Sequence, residues 1–89
     1  MKYVLFYDLA EGAMDLAMQH YPAHRARLDE FHERGDLLSV GTWTDAPMGA
    51  MAVFSSRAAI DEFTSADPFL EHGVVGTHRV REWDEIYLP

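Results

Sequence analysis

Four segments of the chain have the composition and spacing of β-strands. The opening sequence KYVLFYDL, residues 2–9, is rich in β-branched and aromatic residues, which fit the half-buried surface of a sheet. LLSVGTW at residues 37–43 and GAMAVFSS at residues 49–56 have the same character, and the turn-forming residues 44–48 join them. A last strand is predicted within residues 77–88. Together these segments predict a four-stranded sheet.

The first helix is predicted where the apolar spacing changes from a strand period to a helical one. From Pro22 to about Arg34 the apolar residues fall on one helical face, after residues 10–15 have broken the strand pattern. Proline suits the first helical turn because its missing N–H has no partner there. Gly35 follows in the position of a C-terminal cap, which completes the prediction of a helix from Pro22 to Arg34.

A second helix is predicted over residues 57–66. Ser55 or Ser56 is placed as its N-cap, because a serine hydroxyl can accept a hydrogen bond from a free amide at the helix start. Pro68 ends this helix, since proline disfavours helical geometry in the residue before it. Residues 69–76 are predicted as an irregular return to the last strand.

The predicted order of elements, β-α-β-β-α-β, is that of a ferredoxin-like α+β fold. In that fold a four-stranded antiparallel sheet carries both helices on one face. Eighty-nine residues are expected to form a single domain, residues 1–89. With 48% hydrophobic and 12% aromatic residues, the chain has more apolar surface than so small a core can cover. The free face of the sheet therefore predicts a homodimer.

The charge balance narrows the classes of partner. The chain carries a formal net charge of −8 at pH 7, so we expect it to bind neither nucleic acid nor an anionic membrane surface. It has no cysteine, and therefore no disulfide and no Cys-based metal site. Without a run of about 18 apolar residues or a Gly-rich phosphate loop, it is predicted to be cytoplasmic and to use no cofactor. Arg25, which is off the stripe of His24, is predicted to form a surface ion pair with Asp29 at i, i+4.

His24 is the candidate chemical group of the first helix. It shares one helical stripe with Leu28 and Phe31, at positions i, i+4 and i+7. Two alternatives are open for it: a half-buried histidine bonded to a backbone carbonyl, and a metal ligand paired with His20. Because Pro22 is expected to place His20 before the first regular turn, and no acidic cluster supplies further ligands, no metal site is predicted.

A second candidate group, Asp67, is followed directly by Pro68 in the sequence SADPFLEHG. Taken alone, this pair indicates a helix stop whose carboxylate bonds nearby amides. Taken with YPAHRARLDEFHERGDLLSVG at residues 21–41, the TDAPMG turn and the later VREW, it makes nearly the whole chain resemble the YciI-like (YCII-related) family. The histidine motif and the Asp-Pro-aromatic motif are specific as a pair, although each is weak alone.

The resemblance implies a dimeric α+β barrel, in which two ferredoxin-like sheets pack together, with a His–Asp dyad at His24 and Asp67 in a cleft. Some relatives are enzymes that act on small ring compounds, including the dehydrochlorination of a chlorinated hydroxyquinol. A carboxylate that accepts one imidazole N–H leaves the other ring nitrogen free to take a proton, which suits a general base. No obvious nucleophile accompanies the pair, so proton abstraction, elimination or isomerisation fits better than covalent catalysis.

Four further residues are candidates for binding a substrate. Tyr7 and Trp43 are strand aromatics that can line a cleft or belong to the core, and Pro68 and Phe69 continue the Asp-Pro motif. Trp43 also marks a departure from the family, whose members often carry Gly-Pro where this chain has Gly41-Thr-Trp. A bulky indole there can close or reshape the pocket, so the identity of the substrate does not follow from the resemblance.

Three functions are compatible with this sequence. The first is an enzyme that uses His24 for general acid/base chemistry, oriented by Asp67, on a small ring compound. The second is a non-catalytic dimeric module that binds a small ligand, and the third is a cofactor-independent monooxygenase-like barrel. All three share one fold, and a fold does not decide between them.

Overall fold

The chain folds into one antiparallel sheet with helices packed against it. The computed structural model describes residues 1–88. Its elements in chain order are β1 (Lys2–Leu9), α1 (Met14–Glu33), β2 (Leu37–Thr42), β3 (Gly49–Phe54), α2 (Arg57–Ser65), α3 (Pro68–Glu71) and β4 (Val75–Trp83). The strands lie in the order β2-β3-β1-β4, and every neighbouring pair is antiparallel. The predicted ferredoxin-like α+β class is confirmed, with the short helix α3 in addition.

Strand alternation decides which side chains face the helices. On β1, Leu5 lies opposite Ala52 of β3 and Val80 of β4, and the residues two positions away share its face. The buried cluster between sheet and helices consists of Leu5, Tyr7, Phe31, Leu37, Ala52, Phe54, Ala59, Ile60 and Phe63. Each large apolar side chain buried there contributes roughly 1.5–3 kcal/mol, so this layer fixes α1 and α2 against the sheet.

The prediction that the first helix begins at Pro22 is wrong. Helix α1 begins at Met14, so that both Pro22 and His20 lie inside it. The residues before Pro22 are mostly good helix formers, namely Met, Leu, Ala and Gln, and they carry the helix towards the N-terminus. Proline removes one helical hydrogen bond, which would otherwise end on the carbonyl of Met18. Because Met18 is exposed, water can bond to that oxygen instead.

The C-terminal end of α1 agrees with the prediction. Gly35 has a φ of 83°, the left-handed region that favours glycine. Its amide donates to the carbonyl of His32 at 3.0 Å, and the amide of Asp36 donates to the carbonyl of Phe31 at 3.0 Å. These two bonds make a Schellman motif, which turns the chain directly into β2.

Helix α2 begins at the predicted cap and ends close to the predicted stop. The Ser56 hydroxyl accepts a hydrogen bond from the amide of Ala59 at 3.1 Å, and the helix runs to Ser65. Its buried residues Ile60 and Phe63 lie on one face, towards the sheet. Among residues 1–88, every helix is too short or too polar to cross a membrane.

The segment after α2 is more regular than predicted. Residues Pro68–Glu71 form helix α3 in place of the irregular return, because Asp67 caps its first turn and a proline stands at the first helical position. The last strand begins at Val75, slightly before the predicted range, and its backbone pairs with β1. The consequence for the site is that Asp67 is fixed between two helices.

Candidate functional site

Asp67 is buried at the junction of α2 and α3. Its side chain has an exposed fraction of 0%. Its Oδ1 atom accepts a hydrogen bond from the amide of Phe69 at 3.2 Å, the N-cap interaction that starts α3. An ionised carboxylate has several further lone pairs, and burial away from water requires partners for them.

Those partners come from two distant parts of the chain. The hydroxyl of Tyr7, on β1, donates to Asp67 Oδ2 at 2.6 Å. The Nδ1 atom of His24, on α1, lies 2.6 Å from Asp67 Oδ1. Tyr7 and His24 are separated from Asp67 by 60 and 43 residues, so only the packing of α1 and α3 on the sheet brings the three together. The carboxylate is therefore shared by an amide, a phenol and an imidazole.

The hydrogen bonds to Asp67 indicate which ring nitrogen of His24 carries the proton. A carboxylate that already accepts from the Tyr7 hydroxyl and the Phe69 amide behaves as an acceptor, so the Nδ1–H of His24 is the donor. In a neutral imidazole the proton on Nδ1 leaves Nε2 with a free lone pair. His24 thus has one ring nitrogen tied to a buried anion and one nitrogen available to take a proton.

Packing holds the imidazole plane in one orientation. The ring of Phe69 stacks on the ring of His24 with centroids 3.8 Å apart and planes 5° from parallel. Phe63 meets the same imidazole edge-on at a centroid distance of 6.3 Å. His24 retains 8% of its surface exposed, so it is nearly buried and yet reaches the surface of a cleft. Asp67, Phe69 and Phe63 therefore position the ring before any ligand binds.

Tyr7 is a hydrogen-bond donor to the carboxylate rather than a free phenol. Burial raises the pKa of Tyr7 strongly, and the hydrogen bond to Asp67 raises it further. The phenol therefore keeps its proton and donates it to the carboxylate throughout the physiological pH range. The predicted role in contacting substrate stays a prediction for the ring of Tyr7, which lines the cleft, while its hydroxyl is engaged by Asp67.

The cleft in front of His24 has a volume of about 770 Å³. Helix α1 forms one side, and β2 with the start of β3 forms the other. Its walls are mostly aliphatic, aromatic and methionine side chains, which suits a small and largely apolar ligand. Tyr7, His24 and Phe69 line it, and Asp67 lies behind His24, away from the cleft surface.

Two of the predicted substrate-binding residues lie elsewhere. Trp43 and Pro68 are not among the cleft-lining residues of the described chain. Trp43 is 42% exposed just beyond β2, where its amide donates to the carbonyl of Gly49 at 3.0 Å. Pro68 occupies the first position of α3, beside the cap rather than in the cleft. A role for either in binding a substrate stays a prediction.

His20 lies inside α1, four residues before His24, and packs against another histidine. His20 is helical, contrary to the prediction, but its imidazole stacks on that of His72 with centroids 3.8 Å apart and planes 3° from parallel. The ring that packs against His20 is thus that of His72. Within residues 1–88, no group of three or more His, Asp or Glu side chains is arranged to hold a metal.

A polar row on α1, formed by Tyr21, Arg25 and Asp29, borders the same cleft. The predicted ion pair is present, with Arg25 Nε donating to Asp29 Oδ1 at 3.0 Å. Arg25 also donates from Nη1 to the hydroxyl of Tyr21 at 3.3 Å. Arg25 was expected to lie away from the site because it is off the stripe of His24, but the cleft is wide enough to reach it.

Residues 1–84 match the YCII-related domain. The chain belongs to the YCII-related family. No curated protein sequence gives a significant match to it. The resemblance inferred from the histidine and Asp-Pro motifs is therefore confirmed, and it extends from β1 to the end of β4.

Solved structures share the fold of this YCII-related chain at low sequence identity. The 5-chloro-2-hydroxyhydroquinone dehydrochlorinase of Burkholderia phenoliruptrix, in complex with 2,5-dihydroxybenzoquinone, has a TM-score of 0.80 at 19% identity and 94% coverage of both chains. An antibiotic biosynthesis monooxygenase has a TM-score of 0.59 at 18% identity, covering 98% of this chain and 100% of its own. A hypothetical Arabidopsis thaliana protein has a TM-score of 0.51 at 15% identity, with 99% and 89% covered. At these identities the likeness concerns the fold.

Two features of this YCII-related site were not predicted from the sequence. The bond between Tyr7 and Asp67 has no local signal, because it depends on β1 lying beside the α2–α3 junction. Tyr21 does carry a local signal, because it stands three residues before His24, a spacing that places two side chains on one side of a helix. That spacing has this meaning only if the helix begins before Pro22, so that Tyr21 is helical as well.

Proposed function

We propose that this chain is a small-molecule enzyme in which His24 is the general acid/base and Asp67 orients it. The observation that carries the proposal is the placement of His24: Nδ1 is bound to a buried carboxylate, the ring is clamped by Phe69, and the side chain borders an apolar cleft. Such an imidazole is ready to accept a proton at Nε2 from a ligand in the cleft. The negative charge of Asp67 stabilises the imidazolium that forms.

The reaction class is proton abstraction from a small ring compound, followed by elimination or isomerisation. His24 Nε2 takes a proton from a ring hydroxyl or an acidic C–H, and the electron pair of the broken bond stays on the substrate. In an elimination that pair forms a new double bond while a leaving group departs with its own bonding electrons. In an isomerisation the imidazolium returns the proton at another position. Neither course needs an oxidant, and general acid/base catalysis of this kind contributes roughly 10²- to 10⁴-fold in rate.

The family and the fold support a ring compound as substrate. The dehydrochlorinase with a TM-score of 0.80 acts on a chlorinated hydroxyhydroquinone and is complexed with a dihydroxybenzoquinone. The cleft here has space for one such ring, and Phe69 and Tyr7 provide flat aromatic surface beside His24. We take a hydroxylated six-membered ring as the first class to test.

We also propose that the working form is a homodimer. The sheet face turned away from the helices carries Val4, Phe6, Met51 and Trp83 around a second hollow of about 310 Å³, which Arg81 and Glu82 also line. Trp83 is exposed there, and large apolar side chains on an open sheet face favour packing against an equivalent face. Two sheets packed in this way form the α+β barrel that the family resemblance implies.

The decisive experiment measures chloride release from chlorinated hydroxylated ring compounds and proton exchange with unchlorinated ones. We expect His24→Asn and Asp67→Asn to lower turnover at least 10²-fold while changing ligand affinity only a few-fold, because neither lines the cleft with much apolar surface. His72→Asn, a histidine change outside the cleft, serves as the matched control and should retain turnover. Equal turnover in all four proteins would contradict the proposal.

The same assays separate the other two functions. Tight binding of ring compounds without turnover in the unmodified protein would identify a binding module instead. Turnover that stops when oxygen is removed would identify a cofactor-independent monooxygenase, the activity suggested by the shared fold of the antibiotic biosynthesis monooxygenase. The acid/base enzyme proposed here should turn over equally with and without oxygen, because its chemistry moves only protons and a leaving group.

A further inference from the structure

Proton abstraction requires a second group that the site described so far does not provide. When His24 removes a proton from a hydroxylated ring, negative charge develops on a substrate oxygen, and fixed donors aimed at such an oxygen usually provide a large part of catalysis. The Tyr7 hydroxyl is already committed to Asp67. His32, which also lines the cleft, is bonded through Nδ1 to the carbonyl of Leu37 at 3.0 Å.

Tyr21 is close enough to His24 to share a ligand with it. The two side chains stand at i and i+3 on α1, and their ring centroids are 6.3 Å apart. Both line the cleft, and Tyr21 is 46% exposed, so a ligand can reach its hydroxyl. A ring compound within reach of His24 therefore lies beside Tyr21 as well.

The hydroxyl of Tyr21 is arranged to donate. It accepts a hydrogen bond from Arg25 Nη1 at 3.3 Å, which leaves its own proton for another acceptor. The residues that the structure describes offer that proton no side-chain or backbone acceptor. Arg25 also donates to Asp29, which holds it in place. The hydrogen bond to Tyr21 is the largest cause that raises the pKa of Arg25, and the hydrogen bond to Asp29 is the next. A hydroxyl that accepts from a fixed cation is a stronger donor than a free one.

We propose that Tyr21 is a catalytic residue that donates a hydrogen bond to the substrate oxygen on which charge develops as His24 takes the proton. Arg25 is its positioning residue. The inference rests on the proposed function and adds a named donor to it. In the step, the substrate O–H or C–H bond breaks, the proton moves to His24 Nε2, and the electron pair settles on the oxygen that faces Tyr21. The Tyr21 proton is shared with that oxygen and is not transferred.

The same row of residues narrows the substrate class. Of the Lys, Arg, Asp and Glu side chains in residues 1–88, Arg25 and Asp29 are the two that line the cleft, and they neutralise each other. A substrate carboxylate or phosphate finds no uncommitted cation there. The substrate that fits is a phenol or enolisable ring ketone that carries no charge until His24 removes a proton.

The test uses 4-nitrophenol, a ring phenol whose ionised form absorbs visible light. The pKa of the bound probe is measured by spectrophotometric titration in the unmodified protein and in variants. We expect Tyr21→Phe to raise the pKa of the bound probe by about one unit, a tenfold weaker stabilisation of the phenolate. Arg25→Gln should raise it by a smaller amount. Tyr87→Phe, the same change at an exposed tyrosine outside the cleft, should leave it unchanged.

The outcomes separate this inference from the proposed function. If His24→Asn raises the pKa of the bound probe and Tyr21→Phe does not, the role of Tyr21 is overturned while that of His24 stands. If neither variant changes it, or if 4-nitrophenol does not bind the unmodified protein, both proposals fail. Support for Tyr21 requires a second result: on a turned-over ring substrate, Tyr21→Phe lowers kcat about tenfold with little change in KM.

Discussion

Replacement of Tyr7 by phenylalanine removes a single hydrogen bond, the one that the Tyr7 hydroxyl donates to Asp67. The change removes one oxygen atom and keeps the ring that packs in the core. It leaves Asp67 Oδ2 without its donor at 2.6 Å, in a position where the side chain is 0% exposed and water cannot take the place of the phenol. The perturbation therefore acts on a single bond to a buried charge.

The magnitude follows from that burial. A hydrogen bond to a charged group contributes about 1.5–3 kcal/mol, and loss of one partner leaves the other unsatisfied, so we expect a destabilisation of about 2–3 kcal/mol. For a domain of this size each kcal/mol corresponds to roughly 4–8 °C, which predicts a fall in Tm of roughly 10–20 °C. The protein should still fold, because domains commonly have about 5–15 kcal/mol of stability.

Urea denaturation of matched variants measures this difference. Tyr3→Phe is the control, since Tyr3 lies on the same strand and face but its hydroxyl makes no hydrogen bond within residues 1–88, and it should change stability by less than about 0.5 kcal/mol. The slope of unfolding free energy against urea should be the same in all three proteins, so that midpoints report stability. Equal midpoints for Tyr7→Phe and Tyr3→Phe would refute the reasoning about Asp67.

Three further predictions concern pH, capping and strand packing. Because folding raises the pKa of Tyr7, the phenol stabilises the fold fully below its unfolded pKa of about 10 and loses that effect as pH rises above it. The difference in unfolding free energy between the unmodified protein and Tyr7→Phe should therefore shrink in alkali. A difference that stays constant with pH would contradict this. Ser56→Ala should cost about 1 kcal/mol in thermal unfolding by removing the cap of α2, whereas no change would show the cap to be unimportant. Gly49→Ala should lower the free energy of unfolding by about 1–3 kcal/mol, because a Cβ there overlaps the carbonyl oxygen of Tyr7. Gly41→Ala is the control, since a Cβ at Gly41 meets nothing within 4 Å. Equal effects of the two changes on chemical denaturation would count against this close contact between β3 and β1.

The order of strands and helices was accessible from the sequence because each element carries its own pattern. The strand composition of residues 2–9 and the helical stripe of Leu28 and Phe31 depend on neighbours in the chain, and both elements were placed correctly. The start of α1 was missed because Pro22 has a strong local preference for the first turn, whereas the exposed position of Met18 makes an interior proline tolerable. That exposure is a property of the folded molecule.

The site was accessible only in part. The proximity of His24 to Asp67 came from resemblance to a family, because 43 residues separate them and no spacing rule links a helix start to a distant helix junction. The Asp67–Pro68 pair was interpreted as a stop for α2, although an N-cap aspartate followed by proline also indicates the start of a helix, here α3. Tyr7 was predicted only as an aromatic of the cleft or the core, because the acceptor of its hydroxyl lies 60 residues away in the chain.

The central claim is that His24 holds its proton on Nδ1, against Asp67, and presents an unprotonated Nε2 to the cleft. Nitrogen-15 NMR of the imidazole rings at neutral pH tests it directly, with the signals of His24 assigned by comparison with His24→Asn. We predict an Nδ1–H tautomer whose proton is shifted far downfield by a short bond to the carboxylate. An Nε2–H tautomer, or an Nδ1 proton that exchanges freely with water, would contradict it.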